Sequence, residues 1–209
     1  LLAAACALSE LEALTAIEQA LAAALLREHE SGGYAFAHDL AQQALEGALA
    51  ADRRRLVHRR LALAAQATQA AAGLTALHFE AGGEPARAVA YRLAAGDEAQ
   101  ALFAGEQALQ HWQAALMLGA TPTQAAALHL RSARALIDLG DGAGALAQVA
   151  LLDALVASGG LADSERIAAI TACAEIEATL NKSRLALSRI EALLTSLPLG
   201  QQGQAAACH

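Results

Sequence analysis

Proline occurs three times in the 209 residues, tryptophan and methionine once each, and aromatic side chains make up 3% of the chain. So little proline, with no glycine period, excludes collagen-like and Pro/Gly-rich disordered chains. Strands rich in valine, threonine and tyrosine with regular turn spacing are missing, which excludes an all-β sandwich. Cysteine appears only at Cys6, Cys173 and Cys208. An odd number at wide spacing provides no disulfide framework and fits a reducing compartment. No window of about 18 residues runs free of polar interruption, as a membrane-spanning helix requires. The nearest, Ala13 to Leu26, contains Thr15, Glu18 and Gln19 and is closed by Arg27. No basic n-region with a cleavage site marks a signal peptide, so a cytoplasmic location is expected. Positive charge is scarce too: 14 Lys and Arg stand against 21 Asp and Glu, a net charge of −7. Such a balance argues against direct nucleic-acid binding. The chain opens on Leu1 rather than Met and closes on a Gln/Ala tract, and it reads as a piece of a longer protein.

Alanine and leucine take up the space these absences leave. The chain holds 60 Ala and 37 Leu, residues of very high helix propensity, so the expected fold is mainly α. Ser9 with Glu12 forms the S-x-x-E capping box of a helix running to about Ala24. The segment His29 to Gly33 is a turn signal, and Tyr34-Ala35-Phe36 alternates at period two. Together they predict a short β-hairpin with Gly32-Gly33 near its tip. Asp39 is placed to cap a helix over 40–49, and Asp52 one over 53–70. Helix, hairpin and helix in this order give residues 1–72 the look of a winged-helix-like module.

From residue 73 to 209, helical segments alternate with breaks at Gly82-Gly83, Gly119 to Pro122, Gly140 to Gly144, Ser158 to Leu161 and Asn181. Apolar residues recur at helical spacing within them: Leu128, Ala135, Leu136 and Leu139; Ala145, Val149, Leu152 and Val156; Leu187, Ile190, Leu194 and Leu197. Gly83 to Ala88 and Gly140 to Ala145 share a Gly-x4-Ala spacing. Leu139-Gly140-Asp141 followed by Gly144-Ala145-Leu146 is similar to a tetratricopeptide (TPR) motif. Phe79, Gly82-Gly83, Ala88 and Tyr91 make a looser copy. Ala108 with Trp112, and Ala186 with Ile190, suggest two more. The expected architecture is therefore an α-α superhelix of TPR-like hairpins, with Ala88, Ala108, Ala145 and Ala186 where helices approach closely.

Candidate sites are few. Arg53, Arg54, Arg55, Arg59 and Arg60 spread around a helical wheel and are read as a solvated face. His38-Asp39 is read as an N-cap with a locally packed ring. His29, His58, His78, His111, His129 and His209 show neither H-x3-H nor H-E-x-x-H spacing and are read as chance placements on helices. Cys173 is expected to be a buried small hydrophobe, and Cys208-His209 a loose end. The six aromatics are expected to anchor the hairpin and the helix pairs. No nucleophile elbow, phosphate loop or carboxylate pair is present, so no catalytic residue, cofactor or metal is assigned. A concave surface lined by about 125–136 and 164–174, with Arg131, Arg134 and Arg166 as contacts, is the expected place for a protein or peptide partner or a small signal.

The run Tyr34 to Leu45, the helix Arg53-Arg54-Arg55-Leu56-Val57-His58-Arg59-Arg60-Leu61-Ala62, and the stretches Leu77 to Gly83 and Ala94 to Ala99 together resemble one family. It is the region downstream of the nucleotide-binding core in bacterial signal-transduction ATPases with numerous domains (the STAND class), which include large LuxR-type and antibiotic-regulatory-type transcriptional regulators. The likeness covers residues 1 to 118, and the remainder matches as generic TPR-like helices. Ala35 and Ala37 depart from it, because the family often carries a basic residue there. The Walker motifs are absent, so this piece would not bind or hydrolyse ATP. The resemblance implies a non-enzymatic regulatory or sensor segment that acts through the other domains of the full-length protein. An accessory arm of a cyclase- or kinase-linked signalling ATPase and a stand-alone TPR scaffold are the alternatives.

Overall fold

A computed structural model describes residues 2–6, 8–29 and 32–196. The chain is mainly helical with one small antiparallel sheet. The elements are α1 (Leu2–Cys6), α2 (Glu10–Ala22), β1 (Leu26–Glu28), β2 (Tyr34–Phe36), α3 (Asp39–Ala48), α4 (Ala51–Ala67), α5 (Ala72–Ala81), α6 (Pro85–Ala101), α7 (Gly105–Met117), α8 (Pro122–Asp138), α9 (Gly142–Ala157), α10 (Asp163–Thr179) and α11 (Ser183–Ser196). Contacts divide the chain into two compact units between Tyr91 and Arg92, within α6. Among the described residues no helix is long and apolar enough to cross a membrane.

The first unit begins as the local signals require. Ser9 Oγ accepts from the Glu12 amide, and the Glu12 carboxylate accepts from the Ser9 amide at 2.8 Å. The hairpin pairs Leu26 with Phe36 and Glu28 with Tyr34. Two expected caps are corrected. Asp39 is the first residue of α3, with His38 at the N-cap making no side-chain bond. Asp52 lies in the first turn of α4 behind an Ala50 N-cap. Each carboxylate therefore meets the positive end of its helix as a charge and not as a cap. Neither α2 nor α3 buries a residue. The first unit's core lies instead around α4 and α5, where Ala62, Ala65, Ala76 and Phe79 are fully buried. Tyr91 stacks on Phe79 at 5.4 Å, and the Arg87 guanidinium covers the Phe79 ring at 4.2 Å.

In the second unit each helix packs on its successor from α7 to α11, and α10 also reaches back to α8. Its core joins Ala133 of α8, Ala145, Val149 and Leu152 of α9, and Ala169, Cys173 and Ile176 of α10.

A regular feature of the backbone fixes the register. Helices α4, α6, α8 and α10 each have 17 residues, and they begin at Ala51, Pro85, Pro122 and Asp163, steps of 34, 37 and 41. Each ends with a left-handed residue: Gln69 (φ 51°), Phe103 (59°), Gly140 (79°) and Asn181 (59°). The amide after it donates five residues back, as Ala70 does to Ala65, Ala104 to Ala99, Asp141 to Leu136 and Lys182 to Glu177, which is the Schellman closure. Gly83, Gly119 and Gly159, also left-handed, close the alternate helices α5, α7 and α9. Two expectations change. Gly83 ends a second helix and Gly140 a first helix, so their shared spacing to Ala88 and Ala145 is not a repeat. Ala88 and Ala108 lie on successive helices, and Thr75 is the residue at the place of Ala108, Ala145 and Ala186. Thr75 is buried like them, and its hydroxyl bonds back to the Ala71 carbonyl at 3.3 Å. Phe103 is likewise corrected as a packing anchor: it is 96% exposed at a strained left-handed position.

Candidate functional site

Four of the histidines follow the same register. His58 of α4 meets His78 of α5, with Nδ1 atoms 3.1 Å apart. Arg92 of α6 donates to His111 Nδ1 of α7 at 3.0 Å. His129 of α8 donates from Nδ1 to Gln148 Oε1 of α9 at 2.8 Å. Each bond ties a first helix to its second helix at corresponding positions, so these histidines are placed by the register and not by chance. At His58 and His78 the ring centroids are 5.3 Å apart, longer than the nitrogen separation by about two ring radii. The nitrogens therefore face each other head-on. That is the geometry of one N–H···N bond, not of two lone pairs converging on a metal. Among the described residues no group of three or more His, Cys, Asp or Glu is arranged to hold a metal ion.

Burial, and then the neighbouring His58, lower the pKa of His78. The unfolded chain thus binds a proton more readily there than the folded chain does. Its contribution to stability is complete above the ordinary histidine range and is lost as pH falls into it. The melting temperature is expected to fall from pH 7.5 to pH 5.5, and His78→Gln should flatten that slope. An unchanged slope in the variant would show that the pair is not its source.

The fourth pair departs from this pattern. Ile170 stands on α10, and the corresponding α11 residue is Arg189, which turns to two carboxylates instead. Its Nε donates to Glu177 Oε2 at 3.1 Å and Nη2 to Glu177 Oε1 at 2.6 Å. Nη2 also donates to Asp153 Oδ2 at 2.9 Å, and Nη1 contacts Asp153 Oδ1. Glu177 is 4% exposed, so the guanidinium neutralises a carboxylate inside the core and binds α9, α10 and α11 together. The hydrogen bonds that Arg189 donates to Glu177 raise its pKa above the ordinary value, desolvation opposes this, and Asp153 adds to the rise. Cys173 lies within this charge field, and burial pushes its thiol up to about 12. A thiol reagent at pH 8 is expected to modify Cys173 only as the helices open, read as labelling rates that rise with urea in step with loss of helical signal. Rapid labelling without denaturant would contradict the burial.

On its other side the α10/α11 pair carries an open groove of about 560 Å³. Thr171, Ala174, Glu175 and Ala178 line it from α10, and Ala186, Leu187, Ile190, Glu191 and Leu194 from α11. The spacings are i, i+3, i+4, i+7 on α10 and, counted from Ser183, which also lines the groove, i, i+3, i+4, i+7, i+8, i+11 on α11, so each contributes one continuous stripe. The α11 stripe is the periodic face expected from the sequence, except that Leu197 lies outside the described residues, as does Cys208-His209. Leu187, in the middle of the α11 stripe, is 64% exposed.

The three arginines expected as groove contacts are each in an ion pair. Arg131 Nε donates to Asp97 Oδ1 at 2.9 Å, linking α8 to α6. Arg134 Nη2 lies 3.6 Å from Glu175 Oε2, linking α8 to α10. Arg166 bonds Asp163 at 3.0 Å within the first turn of α10. Arg131 and Arg134 thus link successive first helices, and the three do not converge on one site. In the basic cluster of α4, Arg59 turns inward: its Nε donates to the Gly82 carbonyl at 2.7 Å and lies 3.5 Å from Glu84. Arg55 sits 3.8 Å from Asp52. No family model matches the chain, and no curated protein or solved structure matches it.

Proposed function

We propose that this chain is a non-enzymatic regulatory or sensor segment of a bacterial transcriptional regulator and that it works as a TPR-like interaction scaffold. Residues 1–72 form its winged-helix-like module, and residues 73–209 its repeat arm, stacked as a superhelix. The helix–hairpin–helix order of α2 to α4 supports the first assignment. The equal length and identical closure of α6, α8 and α10 support the second, and α4 of the first module shares both. The observation that carries the function is the α10/α11 groove, in which Ala, Leu and Ile side chains open to solvent are flanked by Thr171, Ser183, Glu175 and Glu191. Contiguous exposed apolar surface of this kind marks an interaction site. A phage library of helical peptides panned on the full chain, with depletion on a Leu187→Asp/Ile190→Asp variant, tests this. Sequences enriched on the wild type alone are expected. Enrichment that ignores the double substitution would remove the groove from the account.

A further inference from the structure

The chain itself shows what covers such a groove. Helices α8 and α10 begin 41 residues apart, at Pro122 and Asp163, and so do α9 and α11, at Gly142 and Ser183. At that offset Ala133, Ile137, Ala145 and Val149 of the α8/α9 pair correspond to Ala174, Ala178, Ala186 and Ile190 of the α10/α11 pair. Of the first four, Ala133, Ala145 and Val149 are buried in the core beneath α10, and Ile137 packs against it. The last four all line the groove. The groove is therefore the counterpart of a surface that, one pair earlier, is covered by a helix presenting Ala169, Cys173 and Ile176.

Charge specifies the occupant further. Where α10 covers α8, its Glu175 meets Arg134 at 3.6 Å. The residue corresponding to Arg134 on the groove is Glu175 itself, an inversion of sign. Glu191 adds a second carboxylate from α11 where the earlier pair has Ala150, and among the described residues that line the groove there is no cation. A helix seated there meets Glu191, and Glu175 already paired on one side with Arg134, where α10 met a guanidinium.

Resting on the interaction reading above, we propose that the α10/α11 groove takes an amphipathic α-helix of a partner protein, with a small-apolar stripe on Ala174, Ala178 and Ala186 and Lys or Arg side chains opposite Glu175 and Glu191. The small floor residues let the helix axis approach closely, and the carboxylates select its flanking charge.

The test uses the full 209-residue chain and two synthetic helices of about 17 residues, roughly 25 Å long. They share an Ala/Leu stripe and differ only in carrying Lys or Glu on its flanks. Fluorescence anisotropy at low salt should show the Lys peptide binding at least about tenfold more tightly than its twin. Glu175→Gln/Glu191→Gln should abolish the preference, and Leu187→Asp should abolish binding with helical content retained. Equal affinity for both peptides, lost in Leu187→Asp, would overturn the basic partner while leaving the groove as an interaction site. If neither peptide binds, the proposal fails, and the phage selection then decides whether the groove fails with it. Self-association of the wild type that Leu187→Asp abolishes, or binding released only by deleting residues 197–209, would assign the groove to a second copy or to the chain's own tail and equally overturn the proposal.

Discussion

Replacing Arg189 with methionine is expected to destabilise the second unit by about 3–5 kcal/mol, although no residue outside the α9–α11 core is touched. Methionine fills much of the arginine volume, so the loss comes from electrostatics. It leaves the Glu177 carboxylate, almost fully buried, without the guanidinium that donates to it and offsets its charge. Removing one partner of a buried pair costs far more than the pair contributes net, because the remaining charge keeps its desolvation penalty. A double variant should therefore behave unlike a sum. With Glu177→Leu added to Arg189→Met, much of the loss should return, since an apolar pair in that volume needs no countercharge. Urea unfolding followed by helical signal checks both. Equal stabilities for Arg189→Met and the wild type would show that Asp153 and Glu177 are not held by this side chain.

The second large effect is at the contact of α6 with α7. Glycine inside a helix normally costs about 1 kcal/mol relative to alanine, so Gly96→Ala would ordinarily stabilise. Here a Cβ at position 96 would run into the indole of Trp112, the largest fully buried side chain among the described residues. The ring has little room to withdraw, because it is itself fully buried. Gly96→Ala should therefore lose about 1–3 kcal/mol by overpacking. Trp112→Ala should lose about 3–5 kcal/mol through lost burial and the cavity left behind. In the Trp112→Ala background the sign of Gly96→Ala should reverse, because the obstacle is gone and only helix propensity remains. Thermal melts of the four proteins in that cycle check this. A Gly96→Ala effect of the same sign in both backgrounds would contradict the packing.

Both effects depend on contacts remote in sequence, and this separates what could be read from the chain from what could not. The Ser9–Glu12 box and the hairpin at Gly32-Gly33 were legible because every partner lies within a few residues. The apolar faces of α9 and α11 were legible because helical periodicity is carried by the sequence itself. The common register of α4, α6, α8 and α10 was not. Its marker is a left-handed residue after each first helix, and glycine occupies it only at Gly140, while Gln69, Phe103 and Asn181 hold the other three. Counting glycines therefore joined the end of α5 to the end of α8. Asp39 and Asp52 carried a true signal of a helix start, displaced by one or two residues, because a carboxylate is favourable in the first turn as well as at the cap. The histidines formed no motif because each partner lies on another helix, 19 or 20 residues away. Arg189 reaches partners 12 and 36 residues distant, and no local pattern announces them. In each case the expected residue types were present, and tertiary packing decided which of them meet.

The open face of the last pair is the central claim, and amide hydrogen exchange tests it most directly. The full chain is measured alone and with the peptide most enriched on it by panning. Slowed exchange confined to 171–178 and 186–194 is the predicted result, with 122–138 and the first unit unchanged. Protection at α8 or in residues 2–91, with the α10/α11 amides unaffected, would contradict the account.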